Sequence, residues 1–507
     1  MSSKIFSAAV IGLDAHLIEV EADYGGGQSG KMVIVGLPDV AIQESKERVL
    51  SAIKNSGLDL LRFCIRINLA PADIKKQGPA YDLPIALSIL VAAGQLPISR
   101  GQRNLFIGEL ALNGDLRPVS GILPISIMAK AKGFEKIFVP ILNQEEASLV
   151  PDIKVIPVNS LSEVCLYLQA KKDIKPYISG TEYFTDQLVD GFDFAFIRGQ
   201  EHVKRAMEIA AAGAHNILMS GPPGSGKTLL ARAMPTILPR MTLEESLEVT
   251  KIYSVAGLLP KEQPLITERP HRSPHHTASG TALVGGGAWP RPGEISLAHR
   301  GVLFLDEFPE FPRVVLENLR QPLEDGVVSI SRAQGTLSFP ANFILVAAMN
   351  PCPCGYLTDT QKRCICSQVQ ILNYQKKISG PLLDRIDLHV DVPRVEFEKL
   401  TSNIYSEKSE LIRKRVQGAR NKQLERFKKE KIITNTEMSS EQVKRYCVIN
   451  EPIRQILRGA VDNLHLSARS YFRILKLART IADLSGHTDI LQEHVAEALQ
   501  YRPKVEI

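Results

Sequence analysis

No run of apolar residues in this chain approaches the ~20 needed to cross a bilayer; the longest, such as Phe343 to Met349, fall far short. At the start, Asp14, His16 and Glu19 interrupt the chain before an export-signal core could form. A soluble, unexported, cytoplasmic protein with no membrane partner is expected. Cysteine is sparse and odd in number, seven in 507 residues, which excludes a secreted disulfide framework and points to a reducing compartment. A strong charge of one sign is also lacking. The net charge of +6 permits contact with nucleic acid but is too small to establish it. What is plentiful is core-forming material: 44% of residues are hydrophobic, and the length suggests about three domains.

The chain is organised around Gly221-Pro222-Pro223-Gly224-Ser225-Gly226-Lys227-Thr228, set between the apolar run Ile217 to Met219 and a helical stretch that begins Leu229-Leu230-Ala231. A phosphate chain needs backbone N–H groups at close approach, so glycines remove Cβ obstruction; it also needs a cation, Lys227, and a hydroxyl for Mg²⁺, Thr228. Strand, glycine loop and helix together make this a Walker A loop and imply ATP. Further on, Gly301-Val302-Leu303-Phe304-Leu305-Asp306-Glu307 reads as a buried parallel strand ending in two acids. Asp306 is placed to hold the Mg²⁺ shell and Glu307 to polarise a water.

Residues 4 to about 168 alternate strands and helices: Ala41 to Lys54 has helical spacing, Phe63 to Leu69 alternates like a strand, and Leu83 to Ala93 reads as a buried helix. The pattern from Gly78-Pro79-Ala80-Tyr81-Asp82 through Phe106 to Leu110 and Gly114 to Val119 resembles the Lon-protease-like domain. Lon-type proteolysis needs a serine activated by a lysine. Here the corresponding positions hold Ala80 and Leu123, so a protease-like fold without protease activity is expected. Weak periodicity with Lys171-Lys172, Pro176, Gly180 and Gly191 marks a linker over 171–197.

The long interval between the two nucleotide motifs contains Arg272-Ser273-Pro274-His275-His276-Thr277, Gly285-Gly286-Gly287 and Pro290-Arg291-Pro292-Gly293. Such irregular segments are usually functional, and loops lining a ring's pore fit better than a metal site at the two histidines. A helix is expected over Val314 to Leu323, then a hairpin over Val327 to Phe339 turning near Ala333-Gln334-Gly335. Asn350 ends the apolar strand Phe343 to Met349, where an amide can orient the lytic water.

Immediately beyond it, Cys352-Pro353-Cys354 and Cys364-Ile365-Cys366 form two close pairs nine residues apart. Four thiolates on one short excursion can close a tetrahedral Zn²⁺ site; free thiols or a redox pair are the alternatives. Arg385, in Gly380-Pro381-Leu382-Leu383-Asp384-Arg385, stands where ring ATPases place an arginine that reaches a neighbour's site; a local pair with Asp384 or Asp387 is the alternative. The last hundred residues read as a small helical lid. Arg469, in Ser467-Ala468-Arg469 at a helix start, fits a residue facing the nucleotide, with Arg473 and Arg479 on the same helix. From Leu411 to Lys431, nine Lys or Arg stand against two acids, a solvated helix face or a DNA-backbone contact.

Taken together with Gly293 to Phe311 and the Met349-Asn350-Pro351-Cys352-Pro353-Cys354-Gly355 segment, these features resemble the YifB/ComM family of magnesium-chelatase-like AAA+ ATPases over nearly the whole chain. The resemblance implies an α/β protein: a Lon-protease-like α+β domain (1–170), the linker (171–197), an AAA+ P-loop core with a parallel sheet and the four-cysteine excursion (198–395), and a helical lid (396–507). It also implies a bacterial ring, a hexamer, and a helicase acting on single-stranded or branched DNA that drives branch migration during natural transformation. A magnesium-chelatase-like or protein-remodelling ATPase that does not act on DNA is the alternative.

Overall fold

The computed structural model describes residues 2–26, 31–58, 60, 63–97, 104–179, 192–260, 263–287, 290–332, 335–359, 361–395, 406–464 and 466–502. The chain divides into two compact units, Met1–Phe184 with Ser246–Ile266, and Thr185–Glu245 with Thr267–Ile507. The interval 198–395 is thus shared between them, and much of the linker region, residues 180–191, lies outside the described residues, as does 396–405 at the start of the lid.

The first unit is a seven-stranded sheet in the order Lys31–Val35, Phe63–Ala70, Asp14–Gly26, Ser2–Ile11, Asn104–Phe106, Lys136–Pro140, Lys154–Val158. Its alternation is that of a half-buried sheet: Ile65, Ile67 and Leu69 are buried while Arg66 is exposed. The helix Val40–Asn55 is capped by Asp39, whose carboxylate accepts from the Ile42 N–H at 2.8 Å, and the helix Asp82–Ala92 is buried on all sides. Ala80 lies in the short turn Pro79–Tyr81 and packs on the apolar cluster that contains the fully buried Leu123. The Leu123 N–H donates to Glu146 at 2.8 Å, and the Ser254 hydroxyl donates to the same carboxylate oxygen at 2.5 Å. Ser254, on the helix Leu243–Ala256, thereby satisfies a buried acid of this unit.

The second unit is built on five parallel strands in the order His271–Arg272, Val302–Leu305, Ile344–Met349, Ile217–Ser220, Leu388–Asp391. Val302–Leu305 and Ile344–Met349 are buried throughout, as strands covered on both faces require. One apolar core runs from these strands through Lys227–Ile237 to Ala468–Ser485. The hairpin forms from Val327–Arg332 and Gly335–Pro340; its tip at Ala333 and Gln334 lies outside the described residues. The single helix expected over Val314 to Leu323 is two, Arg313–Glu317 and Arg320–Asp325. Pro322 has no N–H to offer the Asn318 carbonyl, so one continuous ladder cannot form. Among the described residues no helix is long and apolar enough to cross a membrane.

Candidate nucleotide site

The glycine loop sits at the C-terminal edge of the parallel sheet, between Ile217–Ser220 and the helix Lys227–Ile237. Gly224 and Gly226 take φ of +77° and +90°, and a Cβ on Gly221 would stand 2.2 Å from the Val392 carbonyl oxygen, so these positions demand glycine. Lys227 Nζ donates to the carbonyls of Gly221 at 2.7 Å and Pro222 at 2.9 Å, and lies 3.4 Å from Asn350 Oδ1. Burial lowers the Lys227 pKa, and the charge of Asp306 opposes that shift. Thr228 Oγ1 donates to Asp306 Oδ2 at 2.8 Å. The loop, its lysine and this hydroxyl–carboxylate pair are the donor set that a triphosphate and a Mg²⁺ ion require, so the residues fit both groups.

Glu307 follows with a left-handed backbone, φ +51°, and its N–H donates to Asp306 Oδ1 at 2.9 Å. A non-glycine residue held there is a strained position of the kind found at active sites. Two further residues reach the site. His276 Nδ1 lies 3.1 Å from Glu307 Oε2, with its ring 4.1 Å from that of His275; the adjacent histidines in the inter-motif loop were the available signal. Gln200 Nε2 donates to the carbonyls of Ser225 at 2.6 Å and Pro393 at 3.0 Å, tying the loop to the end of a neighbouring strand. Gln200 itself has φ +59°, which no sequence pattern reveals.

Arg385 and Arg469 are brought together, but away from the glycine loop. Both guanidinium groups bond Glu324, on opposite oxygens of its carboxylate, and Arg385 also donates to the Pro381 carbonyl at 2.6 Å. Arg385 pairs with neither Asp384 nor Asp387. Its carbonyl accepts from Asn216 Nδ2 at 3.2 Å, and Asn216 precedes Ile217–Ser220. This cluster therefore lies at the N-terminal edge of the sheet, a strand length of about 13 Å from the loop's edge. Arg469 accordingly does not face the nucleotide loop of its own chain. The two arginines hold the Glu324 carboxyl below its usual range, chiefly through the Arg385 hydrogen bond. Arg473 instead donates to Asp387 at 2.8 Å, and Arg479 to Asp483 at 3.1 Å. A cavity of about 320 Å³ opens at this same edge, between Asn216, Glu324, Arg300 and Arg420; the phosphate-binding groups are at the other.

Cys352, Cys354, Cys364 and Cys366 converge with all four sulfurs within 4.8 Å of one another. Three of the separations are 3.4, 3.7 and 3.6 Å, against about 3.8 Å between thiolates around a tetrahedral zinc with bonds of ~2.3 Å. The donor set and its spacing fit that ion. Backbone N–H groups of Tyr356 and Ile365 hold the Cys354 thiol down to about 6.

Three arginines of the basic stretch 411–431 are engaged within the unit, while Lys428, Lys429 and Lys431 are exposed. Arg415 binds Glu208 at 2.6 Å and Glu407 at 2.5 Å, Arg426 binds Asp483 at 2.5 Å, and buried Arg420 donates to the carbonyls of Ala211 and Ala212 at the end of the helix Glu201–Gly213. These arginines cap a helix and pair with the buried acids Glu208 and Asp483, so the structural reading holds for these three residues.

Three family models match the chain in succession: Subunit ChlI of Mg-chelatase over residues 20–143, Magnesium chelatase, subunit ChlI over 193–400, and Magnesium chelatase, subunit ChlI C-terminal over 406–502. The chain is 43% identical to the competence protein ComM of Haemophilus influenzae, covering 99% of this chain and 98% of that protein. It is 40% identical to YifB of Escherichia coli over 99% of this chain and 97% of the relative. A Lon protease of Aster yellows witches'-broom phytoplasma is 31% identical over 160 residues, 29% of this chain and 20% of that protein.

Proposed function

Because the chain belongs to the YifB/ComM family of magnesium-chelatase-like AAA+ ATPases, we propose that it is an ATP- and Mg²⁺-dependent ring motor that acts on DNA. In this reading it is a cytoplasmic homo-hexamer that drives branch migration of single-stranded or branched DNA during natural transformation and recombination. The Gly221 to Thr228 loop cradles the phosphates, Thr228 and Asp306 hold Mg²⁺, Glu307 draws the proton from the attacking water, and Asn350 orients that water. Cys352, Cys354, Cys364 and Cys366 hold a structural Zn²⁺.

The observation that carries the ring is the meeting of Arg385 and Arg469 on Glu324 at the sheet edge opposite the glycine loop. A guanidinium that stabilises transition-state charge must come from somewhere, and here the neighbouring subunit supplies it. The Glu324 carboxylate keeps both arginines paired until that neighbour's phosphates replace it. Support for DNA is the likeness to ComM together with the hairpin Val327–Arg332 and Gly335–Pro340 and the glycine-rich loops between the nucleotide motifs.

The test is the ATPase rate of the wild type and of Lys227→Ala, with and without single-stranded and forked DNA, at two salt concentrations. Stimulation by DNA that salt weakens and the variant abolishes is the expected result. Turnover in the wild type that is indifferent to DNA would favour the second reading, a chelatase-like or protein-remodelling ATPase, to which the three ChlI models point.

A further inference from the structure

The four-cysteine excursion leaves the strand Ile344–Met349 directly after Asn350 and folds back over the phosphate loop. Its first turn is closed by the Gly355 N–H donating to the Cys352 carbonyl at 3.0 Å, which puts Gly355 at φ +85°. That turn rests on the nucleotide loop itself: a Cβ on Gly355 would lie 2.6 Å from Pro223 Cδ, 2.8 Å from Pro223 Cγ and 3.7 Å from Asn350 Cγ. On its other side the excursion is gripped by Arg394, which donates to Gln361 Oε1 at 2.8 Å and lies 3.7 Å from Asp359. Arg394 follows Pro393, whose carbonyl binds Gln200, the residue that also holds the Ser225 carbonyl of the loop. A separate bond, from the Gly221 N–H to the Met349 carbonyl at 3.2 Å, joins the start of the loop to the strand that carries Asn350.

None of the described residues 351–367 lies in a helix or strand, and three of the four cysteines are partly exposed while Cys352 is fully buried. A segment with so little core of its own is held in shape by what its sulfurs bind. We propose that the metal–thiolate knot of Cys352, Cys354, Cys364 and Cys366 is a positioning element of the nucleotide site: it presses Gly355 against Pro223 and Asn350, so that metal occupancy sets the shape of the phosphate loop. The knot therefore does more than staple a surface excursion. Gly355 is the residue through which it acts, because any side chain there enters the space of Pro223. The inference rests on the reading of the loop as an ATP site and on Zn²⁺ as the ion.

The experiment measures zinc per chain and the affinity for a fluorescent ATP analogue in three samples: the wild-type full chain, the wild type stripped with a strong chelator and then resupplied with Zn²⁺, and Gly355→Ala. The wild type is expected to carry one zinc. Stripping is expected to weaken nucleotide binding by about tenfold or more, with recovery in step with zinc readdition. Gly355→Ala should keep its zinc yet lose affinity, because its Cβ enters the space of Pro223; the stripping and readdition series is what separates a positioning knot from a staple. If Gly355→Ala fails to fold, the stripping and readdition series decides alone. Affinity unchanged in the stripped chain overturns the proposal, as does a wild type with no zinc. A zinc-loaded wild type that binds no nucleotide would instead overturn the ATPase reading.

Discussion

The carboxylate of Glu324 is shared by Arg385 and Arg469, residues 84 apart in sequence that arrive from the loop before the last strand and from the start of a lid helix. Both are expected to act in a neighbour's site. Arg385→Ala should lower ATP turnover by ~10³-fold or more with little loss of nucleotide binding. Lys227→Ala should be inactive for a different reason, because it cannot hold phosphate. Mixing the two inactive proteins is the decisive assay. Mixed rings contain interfaces where an intact Arg385 faces an intact Lys227, so part of the activity should return. No recovery in a mixture shown to co-assemble would mean that the arginine works within its own chain.

Glu307 and His276 form the second relationship to test. Glu307→Gln removes the proposed general base and should cut turnover by about 10²- to 10⁴-fold while ATP still binds. His276 occupies one oxygen of that carboxylate at 3.1 Å, which in the proposed mechanism would withdraw it from the attacking water. His276→Ala is therefore expected to raise basal turnover a few-fold, with no such rise in the double variant with Glu307→Gln. Steady-state rates of the three proteins, each at saturating ATP, settle the direction.

Proteolytic activity should not return on restoring the nucleophile alone. Ala80→Ser supplies a hydroxyl, but the side chain at 123 is a fully buried leucine in an apolar cluster, which cannot act as the lysine does. Adding Leu123→Lys would bury an ammonium among hydrocarbon, at a cost of several kcal/mol unless it stays neutral. Casein degradation by Ala80→Ser would contradict this account of the site.

Much of this was legible because it is local. The Walker A loop, the acids at 306 and 307, Asn350 and the cysteine pairs announce themselves by spacing, and the strands and helices that carry them follow from hydrophobic period. What was hidden depends on distant partners. Arg469 at a helix start looks the same whether it turns towards its own phosphate loop or towards Glu324, and only the topology, which places Arg385 before its strand and the loop after one, separates the two. In the run 411–431, read as a solvated helix face or a DNA-backbone contact, sequence does not show that Glu208 and Glu407 meet Arg415 or that Asp483 meets Arg426. Gln200 carries no motif, and the paired histidines at 275 and 276 do not say what they touch, because a left-handed glutamine and a loop histidine acquire meaning from their partners. The break at Asn318 was readable in principle, since Pro322 lies inside the expected helix.

Asp387 gives a stability prediction with a defined pH dependence. It is buried, and desolvation alone would raise its pKa, but Arg473 at 2.8 Å and His215 at 3.3 Å override that and hold the carboxyl well below the usual range. A carboxyl whose folded pKa lies below its unfolded value of ~3.9 contributes stability that is complete above that unfolded value. That contribution is lost as the pH falls towards the folded value. The wild type should therefore lose nothing on this account between pH 7.5 and 5. Arg473→Met removes the cation and leaves the charge buried, and should destabilise the second unit by ~3–5 kcal/mol near neutrality. Burial then weighs more heavily against the charge, with His215, Arg502 and the Asn216 N–H still favouring it, so the variant's Asp387 should take up its proton at a higher pH than in the wild type. The deficit against wild type should shrink at pH 5, as read from urea denaturation followed by fluorescence or circular dichroism. An equal deficit at both pH values would mean that Arg473 acts by packing and not through the charge of Asp387.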